Sequence, residues 1–235
     1  MQKTINIIGI SSSPKYDGNT ATLVRKILKG AENHGAQINE YHLPQYNINY
    51  CQGCFHCMRK GYCIIDDDFT MIQKMMLSAN GIVIGSPTYG LAPNAMMKNF
   101  LDRIGMFAVY TSSLKDKYII GVSTCGKFGA KKTAKQLTDI VNGIWGSGKK
   151  AGIISTQIGW GIINDNEDIL KKAFYLGERI VKDIQNERSY WYKDILSKIV
   201  SSFIMRPAMK KNILANKNDD MKGVYEHLKS RGLIE

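Results

Sequence analysis

The sequence predicts an α/β domain built on a parallel sheet with helices on both faces. Three observations point there. Five short apolar, β-branched runs recur along the chain, and amphipathic segments of helical spacing separate them. Loops rich in Ser, Gly, Thr and Pro follow the first, third and fourth runs. Alternation of this kind gives a parallel sheet with right-handed crossovers.

The runs span residues 4–10, 36–42, 81–85, 118–123 and 152–156. Four of them are almost continuously apolar, as strands covered on both faces must be. The second is interrupted by Gln37, Asn39 and Glu40 and suits an edge strand. Between the runs, Leu23, Val24, Ile27, Leu28 and Ala31 form one apolar helical face. Asp68 is placed to cap a helix carrying Phe69, Ile72, Met75 and Met76. Pro93 suits the first turn of a helix carrying Met96, Met97, Phe100, Leu101 and Ile104. Ala134, Leu137, Ile140 and Val141 mark the helix before the fifth run. Ile169, Ala173, Leu176, Ile180 and Ile184 mark the helix after it.

Beyond about residue 189 the pattern changes, which divides the chain into a domain over 1–188 and a helical extension over 189–235. Trp191, Ile195, Leu196, Ile199, Val200 and Phe203 outline an amphipathic helix ended by Arg206 and Pro207. A last short helix through Val224, Tyr225 and Leu228 begins at Asp219 or Asp220. The basic, apolar stretch 198–211 suits a membrane surface, but packing or dimerisation accounts for it better.

With 44% hydrophobic residues, a chain of 235 can bury a substantial core. It has no run of about 18 apolar residues, and its N-terminus reads as a strand without the apolar region of a signal peptide. The expected location is the cytoplasm, without stable membrane insertion. Lys and Arg number 32 against 20 acidic residues, a formal charge of +12. No nucleic-acid motif accompanies the spread basic residues, so no nucleic-acid partner is expected. A basic surface also attracts phosphorylated small molecules.

The loop over 11–20 follows the first strand and opens a helix at about Thr20. Backbone N–H groups and hydroxyls converge on an anion at such a place, and the helix dipole favours negative charge. Gly18 allows close backbone approach, Asn19 and Thr20 supply polar contacts, and Lys15 adds charge. Neither G-x-G-x-x-G nor a full P-loop pattern occurs there. The segment 143–150 has P-loop spacing, but Lys150 stands where Ser or Thr is required and a strand follows the segment. Two further loops lie at carboxyl strand ends. One runs Ser86-Pro87-Thr88-Tyr89-Gly90 and the other Thr124-Cys125-Gly126.

Four of the five cysteines, Cys51, Cys54, Cys57 and Cys63, fall in the pattern C-x2-C-x2-C-x5-C. That density in a cytoplasmic chain points to metal or redox chemistry and away from disulfides. The spacing is close to a ferredoxin run, whereas structural zinc usually takes two separated pairs. Zinc and free redox-active thiols stay open beside an iron–sulfur cluster. His56 is read as an exposed bystander, and Cys125 as a packing residue.

These motifs resemble the flavodoxin-like NAD(P)H-dependent FMN reductases, in particular their iron–sulfur flavoprotein-like branch. The motifs that carry the resemblance are the loop 11–20, the GSPTYG segment 85–90, the K-x-F-x-D-R helix 98–103 and the cysteine run. The resemblance covers residues 3–184. It implies a flavodoxin-like five-stranded sheet of order 2-1-3-4-5. It implies that Ser11, Ser13, Asn19 and Thr20 hold an FMN phosphate, with Lys15 and Gly18 in the same loop. Pro87, Thr88, Tyr89, Gly90, Thr124, Cys125 and Gly126 would line the flavin ring. Asp102 and Arg103 would be structural, and no residue acts as a catalytic acid or base. Cys51, Cys54, Cys57 and Cys63 would ligate a 4Fe–4S cluster. The implied activity is electron transfer from NAD(P)H through FMN to a quinone, flavin or protein acceptor, in a homodimer or homotetramer. A non-catalytic flavodoxin-like electron-transfer module is the alternative. A regulatory protein with a zinc or redox-sensing cysteine loop is a third reading.

Overall fold

The computed structural model describes residues 4–190 and 201–235. Five strands, β1 (Asn6–Ser11), β2 (Gln37–His42), β3 (Gly81–Gly85), β4 (Tyr118–Cys125) and β5 (Lys149–Gln157), form one sheet. All pairings are parallel and the order is β2-β1-β3-β4-β5, the flavodoxin-like arrangement. β3 is buried at every position, while β2 alternates between exposed and half-buried before burying its last two residues. That contrast follows from position: β3 is covered on both faces, and β2 lies at the edge.

Three of the strands reach beyond the apolar runs. β1 continues to Ser11 and β4 to Cys125, and β5 extends from Lys149 to Gln157. Ladder hydrogen bonds extend them, as where Lys149 N donates to Lys117 O at 2.7 Å. Polar residues at strand ends are invisible to hydropathy.

The helices are α1 (Asn19–Asn33), α2 (His56–Lys60), α3 (Phe69–Ser78), α4 (Ala95–Thr111), α5 (Ala130–Thr138) and α6 (Glu167–Gln185). Against one face of the sheet, Leu23, Val24 and Ile27 of α1 pack with Ala173, Leu176 and Ile180 of α6. Against the other face lie Phe69, Ile72 and Met76 of α3 with Met97, Phe100 and Ile104 of α4. α1 and α6 touch backbone to backbone. A Cβ on Gly177 would fall 1.9 Å from Ile27 O, and one on Gly30 2.0 Å from Phe174 O.

Three local expectations are corrected. Asp68 does not cap α3; its carboxylate accepts from Asn47 N, and Asp67 Oδ1 accepts from Phe69 N at 3.1 Å. Pro93 does not open α4. It pairs with Thr88 in a two-residue antiparallel ribbon, Thr88–Tyr89 with Ala92–Pro93. Asn94 is the N-cap of α4, its side chain accepting from Met97 N. Lastly, Arg206 and Pro207 begin a helix, α7 (Arg206–Ala215), which follows a π-helical turn, Ser201–Met205. Pro in the first turn costs no hydrogen bond there. Trp191, Ile195, Leu196, Ile199 and Val200 lie outside the described residues.

The final helix, α8 (Lys222–Ser230), starts two residues after Asp220 and buries Val224 and Leu228. These side chains form a third apolar cluster with Met58, Phe107, Ile213 and Ile234. No helix among the described residues is long and apolar enough to cross a membrane. Gly177→Val forces α6 off α1 and is expected to cost about 3 kcal/mol, measured as a lower urea midpoint with an unchanged slope.

Candidate functional site

Three loops leave the carboxyl ends of β1, β3 and β4, the strands at the reversal of sheet order where ligands of such sheets bind. They are tied by a buried hydrogen-bond network. Asn94 Nδ2 donates to Ser12 O at 2.7 Å, and Asn94 N donates to Ser86 Oγ at 3.0 Å. Ser123 Oγ donates to Ser86 O at 2.7 Å, which leaves its lone pairs for the Thr88 hydroxyl 2.8 Å away. The Thr20 and Thr124 hydroxyls meet at 2.7 Å. Asn94, Ser86 and Ser123 had no functional reading in the sequence. Asn directly before an apolar helical face is an N-cap signal that would have singled out Asn94.

Between these loops lies a cavity of about 220 Å³ lined by Ser13, Pro14, Lys15, Gly18, Asn19, Thr20, Pro87, Tyr89 and Thr124. The N–H groups of the first turn of α1 have no acceptor within the helix. Gly18 N donates to Lys15 O at 3.1 Å, closing the loop on itself. A Cβ on Gly18 would stand 2.3 Å from Ser13 Oγ and 3.0 Å from Lys15 O, so a side chain there would displace the Ser13 hydroxyl.

The expected phosphate residues divide by geometry. Ser11 is fully buried, and its hydroxyl accepts from Ser13 N at 3.3 Å. The Asn19 side chain reaches the loop after β5: Nδ2 donates to Gly161 O at 3.1 Å and Oδ1 accepts from Ile163 N at 2.9 Å. Ser13, Lys15, Gly18 and Thr20 face the cavity. Of the expected ring residues, Pro87, Tyr89 and Thr124 line it, and Tyr89 is largely exposed. Thr88 faces Ser123, while Gly90 carries a positive φ of 55° in the turn of the ribbon. Gly126 lines a neighbouring cavity of about 480 Å³ with Lys127, Gln157, Gly159 and Trp160. The two loops around it are paired, Ile158 N donating to Cys125 O and Gly159 N to Gly126 O, both at 3.0 Å.

The cysteine segment forms a separate cavity of about 480 Å³, which shares no lining residue with the phosphate loop. Cys51, Cys54, Cys57 and Cys63 all line it, against Leu101, Met106, Val109 and Tyr110 of α4. Burial pushes the Cys57 thiol up, and the nearby Cys63, Cys51 and Cys54 push the same way. No group of three or more Cys, His, Asp or Glu side chains among the described residues is gathered closely enough to hold a metal ion. His56 is half-buried, contrary to expectation, with its ring edge-on to Tyr62 at 5.0 Å.

α4 holds this segment in place. Arg103 and Asp67 form an ion pair whose side chains are fully buried. Arg103 also donates to Asn49 O at 3.2 Å and to Cys63 Sγ at 3.2 Å, and stacks 4.2 Å over the Phe69 ring. Asn99 Nδ2 donates to Ile48 O at 3.1 Å, while Asn99 Oδ1 accepts from Cys51 N at 3.3 Å. Arg103 is thus structural, as expected, and Asp102 pairs with Lys98 on the surface. Burial opposes the Asp67 carboxylate, but hydrogen bonds from Arg103 and Asn49 N hold its pKa below the ordinary 3.8.

Residues 5–150 match the family model described as NADPH-dependent FMN reductase. An iron-sulfur flavoprotein of Archaeoglobus fulgidus is 27% identical over 229 residues, 97% of this chain and 99% of its own. Another, from Clostridioides difficile, is 25% identical over 228 residues, covering 96% and 98%. Among solved structures, a flavone reductase superposes with a TM-score of 0.63 at 19% identity, over 79% of this chain and 65% of that one.

Arg103→Met leaves Asp67 buried without a cation and is expected to cost about 3–5 kcal/mol by urea denaturation. Because the folded pKa of Asp67 is depressed, its contribution is complete above pH 3.8 and is lost as pH falls below it. The wild-type urea midpoint should therefore fall more steeply below pH 3.8 than that of Asp67→Asn.

Proposed function

Because the chain belongs to the NADPH-dependent FMN reductase family and is similar over nearly its whole length to iron-sulfur flavoproteins, we propose that it is an FMN-dependent NAD(P)H oxidoreductase passing electrons to a quinone, flavin or protein acceptor. The observation that carries this reading is the phosphate-sized cradle at the start of α1. There a side chain on Gly18 would crowd the Ser13 hydroxyl, and the loops expected to line the ring converge on the same cavity.

In this reading the first-turn N–H groups of α1 and the Ser13 and Thr20 hydroxyls bind the phosphate, with Lys15 supplying charge. Ser11 and Asn19 serve the cradle by position: one braces Ser13, and the other pins the loop at 161–163. Pro87 and Tyr89 with Thr124 flank the ring, and Thr88, Gly90, Cys125 and Gly126 complete its loops. FMN, when bound, supplies hydride acceptance and one-electron release, so the protein needs no acid or base of its own. The residues here orient the cofactor and keep its polar edge supplied with hydrogen bonds.

The cavity beyond Gly126 suits the pyridine nucleotide. It offers the Lys127 ammonium to a phosphate and the fully exposed Trp160 indole to a base. This room for a second nucleotide favours an enzyme over a passive electron carrier. Cys51, Cys54, Cys57 and Cys63 fit an iron–sulfur cluster in kind: they are all thiols, line one cavity and interact electrostatically. A bound cluster would supply one-electron transfer. The chain's own part is to present four thiols from a segment clamped by Arg103 and Asn99.

Titration of anaerobically purified protein with FMN should quench flavin fluorescence at one site per chain. Gly18→Val should weaken binding at least about tenfold with the circular dichroism retained, because close backbone approach to the anion is lost. A chain that takes up no FMN overturns the reading. Steady NADPH oxidation in the presence of a quinone distinguishes the reductase from a passive carrier. Lys127→Gln should raise KM for the nucleotide with little change in kcat.

A further inference from the structure

α2 is only five residues long and carries Cys57, with Cys54 just ahead of it. A helix of that length has no stability of its own, so tertiary contacts must hold it.

Those contacts come from the C-terminal segment. A Cβ on Gly223 of α8 would stand 2.2 Å from Gly61 N and 2.7 Å from Lys60 C. α8 therefore rests directly on the backbone at the end of α2. Met58 is buried in the cluster that contains Val224 and Leu228. Asp220 Oδ1 lies 3.6 Å from Arg59 Nη1, and Arg59 Nη2 donates to Cys54 O at 2.7 Å. A polar chain thus runs from the C-terminal segment to the backbone of a cysteine. The other end of α8 is anchored on α4 by Arg231, which donates to Ser112 O at 2.9 Å. A smaller cavity of about 230 Å³, between Phe55, Arg59, Met106, Tyr110, Asp220 and Met221, lies under this brace.

We propose that the C-terminal segment is a brace that sets the shape of the cysteine site, with Gly223 and Arg59 as its positioning residues. α8 bears on the turn that carries Cys54 and Cys57, and truncation or displacement of α8 releases that turn. The brace extends the proposal that the four thiols bind as one set. The cavity lined by the four cysteines and the cavity lined by Ser13, Lys15 and Gly18 share no lining residue.

The test uses the full chain, with Gly223→Val and Arg59→Ala made separately. Thiol accessibility is read first, on metal-free reduced protein, from the rate of reaction with a chromogenic disulfide. Each variant should react at least about threefold faster than wild type, because thiol exchange depends on access. Iron and sulfide bound after anaerobic reconstitution should fall to less than about half in each, as expected when supporting contacts of a metal site are removed. FMN affinity should stay within about twofold of wild type, because the phosphate cradle is built from other elements. Unchanged thiol rates and iron content in both variants overturn the brace. If Gly223→Val loses FMN binding as well, the damage is general and Arg59→Ala decides: a wild-type thiol rate there overturns the proposal. If wild-type protein takes up no iron, the cluster reading fails, and the thiol rates still decide the brace.

Discussion

A buried ion pair between Asp67 and Arg103 determines how the longest irregular stretch among the described residues is held. The 13 residues 43–55 include one 3₁₀ turn and otherwise run without helix or strand until α2. Their backbone groups must find partners outside a ladder. Arg103 and Asn99 of α4 supply donors to Ile48 O and Asn49 O, while Asp67 accepts from Asn49 N. A buried ion pair contributes little net stability compared with apolar packing, but breaking it is costly. Its value here is directional. It permits one placement of the cysteine segment on α4.

α4 links the two candidate sites. Its N-cap, Asn94, reaches the carbonyl of Ser12 in the phosphate loop, and its third turn carries Arg103 against Cys63. The same helix buries Met97, Phe100 and Ile104 against the sheet. Packing therefore makes α4 rigid, and rigidity lets its two ends hold two loops at a fixed separation. The cavity at the start of α1 and the thiol cavity, both braced by one packed helix, keep a constant relative geometry.

The charge distribution agrees with this arrangement. The formal charge of +12 has no nucleic-acid motif to explain it. In the proposed reading, Lys15 and Lys127 place positive charge beside the two cavities that anionic nucleotides would enter. Long-range attraction of this kind raises encounter rates and weakens with salt.

Hydrophobic periodicity determined the sheet class, the five strands and the buried faces of α1, α3, α4 and α6, because burial on a given side repeats at the period of the element. The loop over 11–20 stood out for a similar reason: a Ser- and Gly-rich turn between strand and helix has a local chemistry. Where expectations failed, the error lay between neighbouring residues. Asp68 was expected to cap α3, but Arg103 and Asn49 engage Asp67, which accepts from Phe69 N. Pro93 was expected to open α4, but it is taken up by the ribbon with Thr88, and Asn94 caps the helix. The cysteine spacing singled out the segment, but its support comes from Asn99, Arg103 and Gly223, far away in the chain. Local pattern encodes what a segment prefers. Which partner satisfies a buried polar group, or fills the space beside a glycine, depends on residues brought together only by folding.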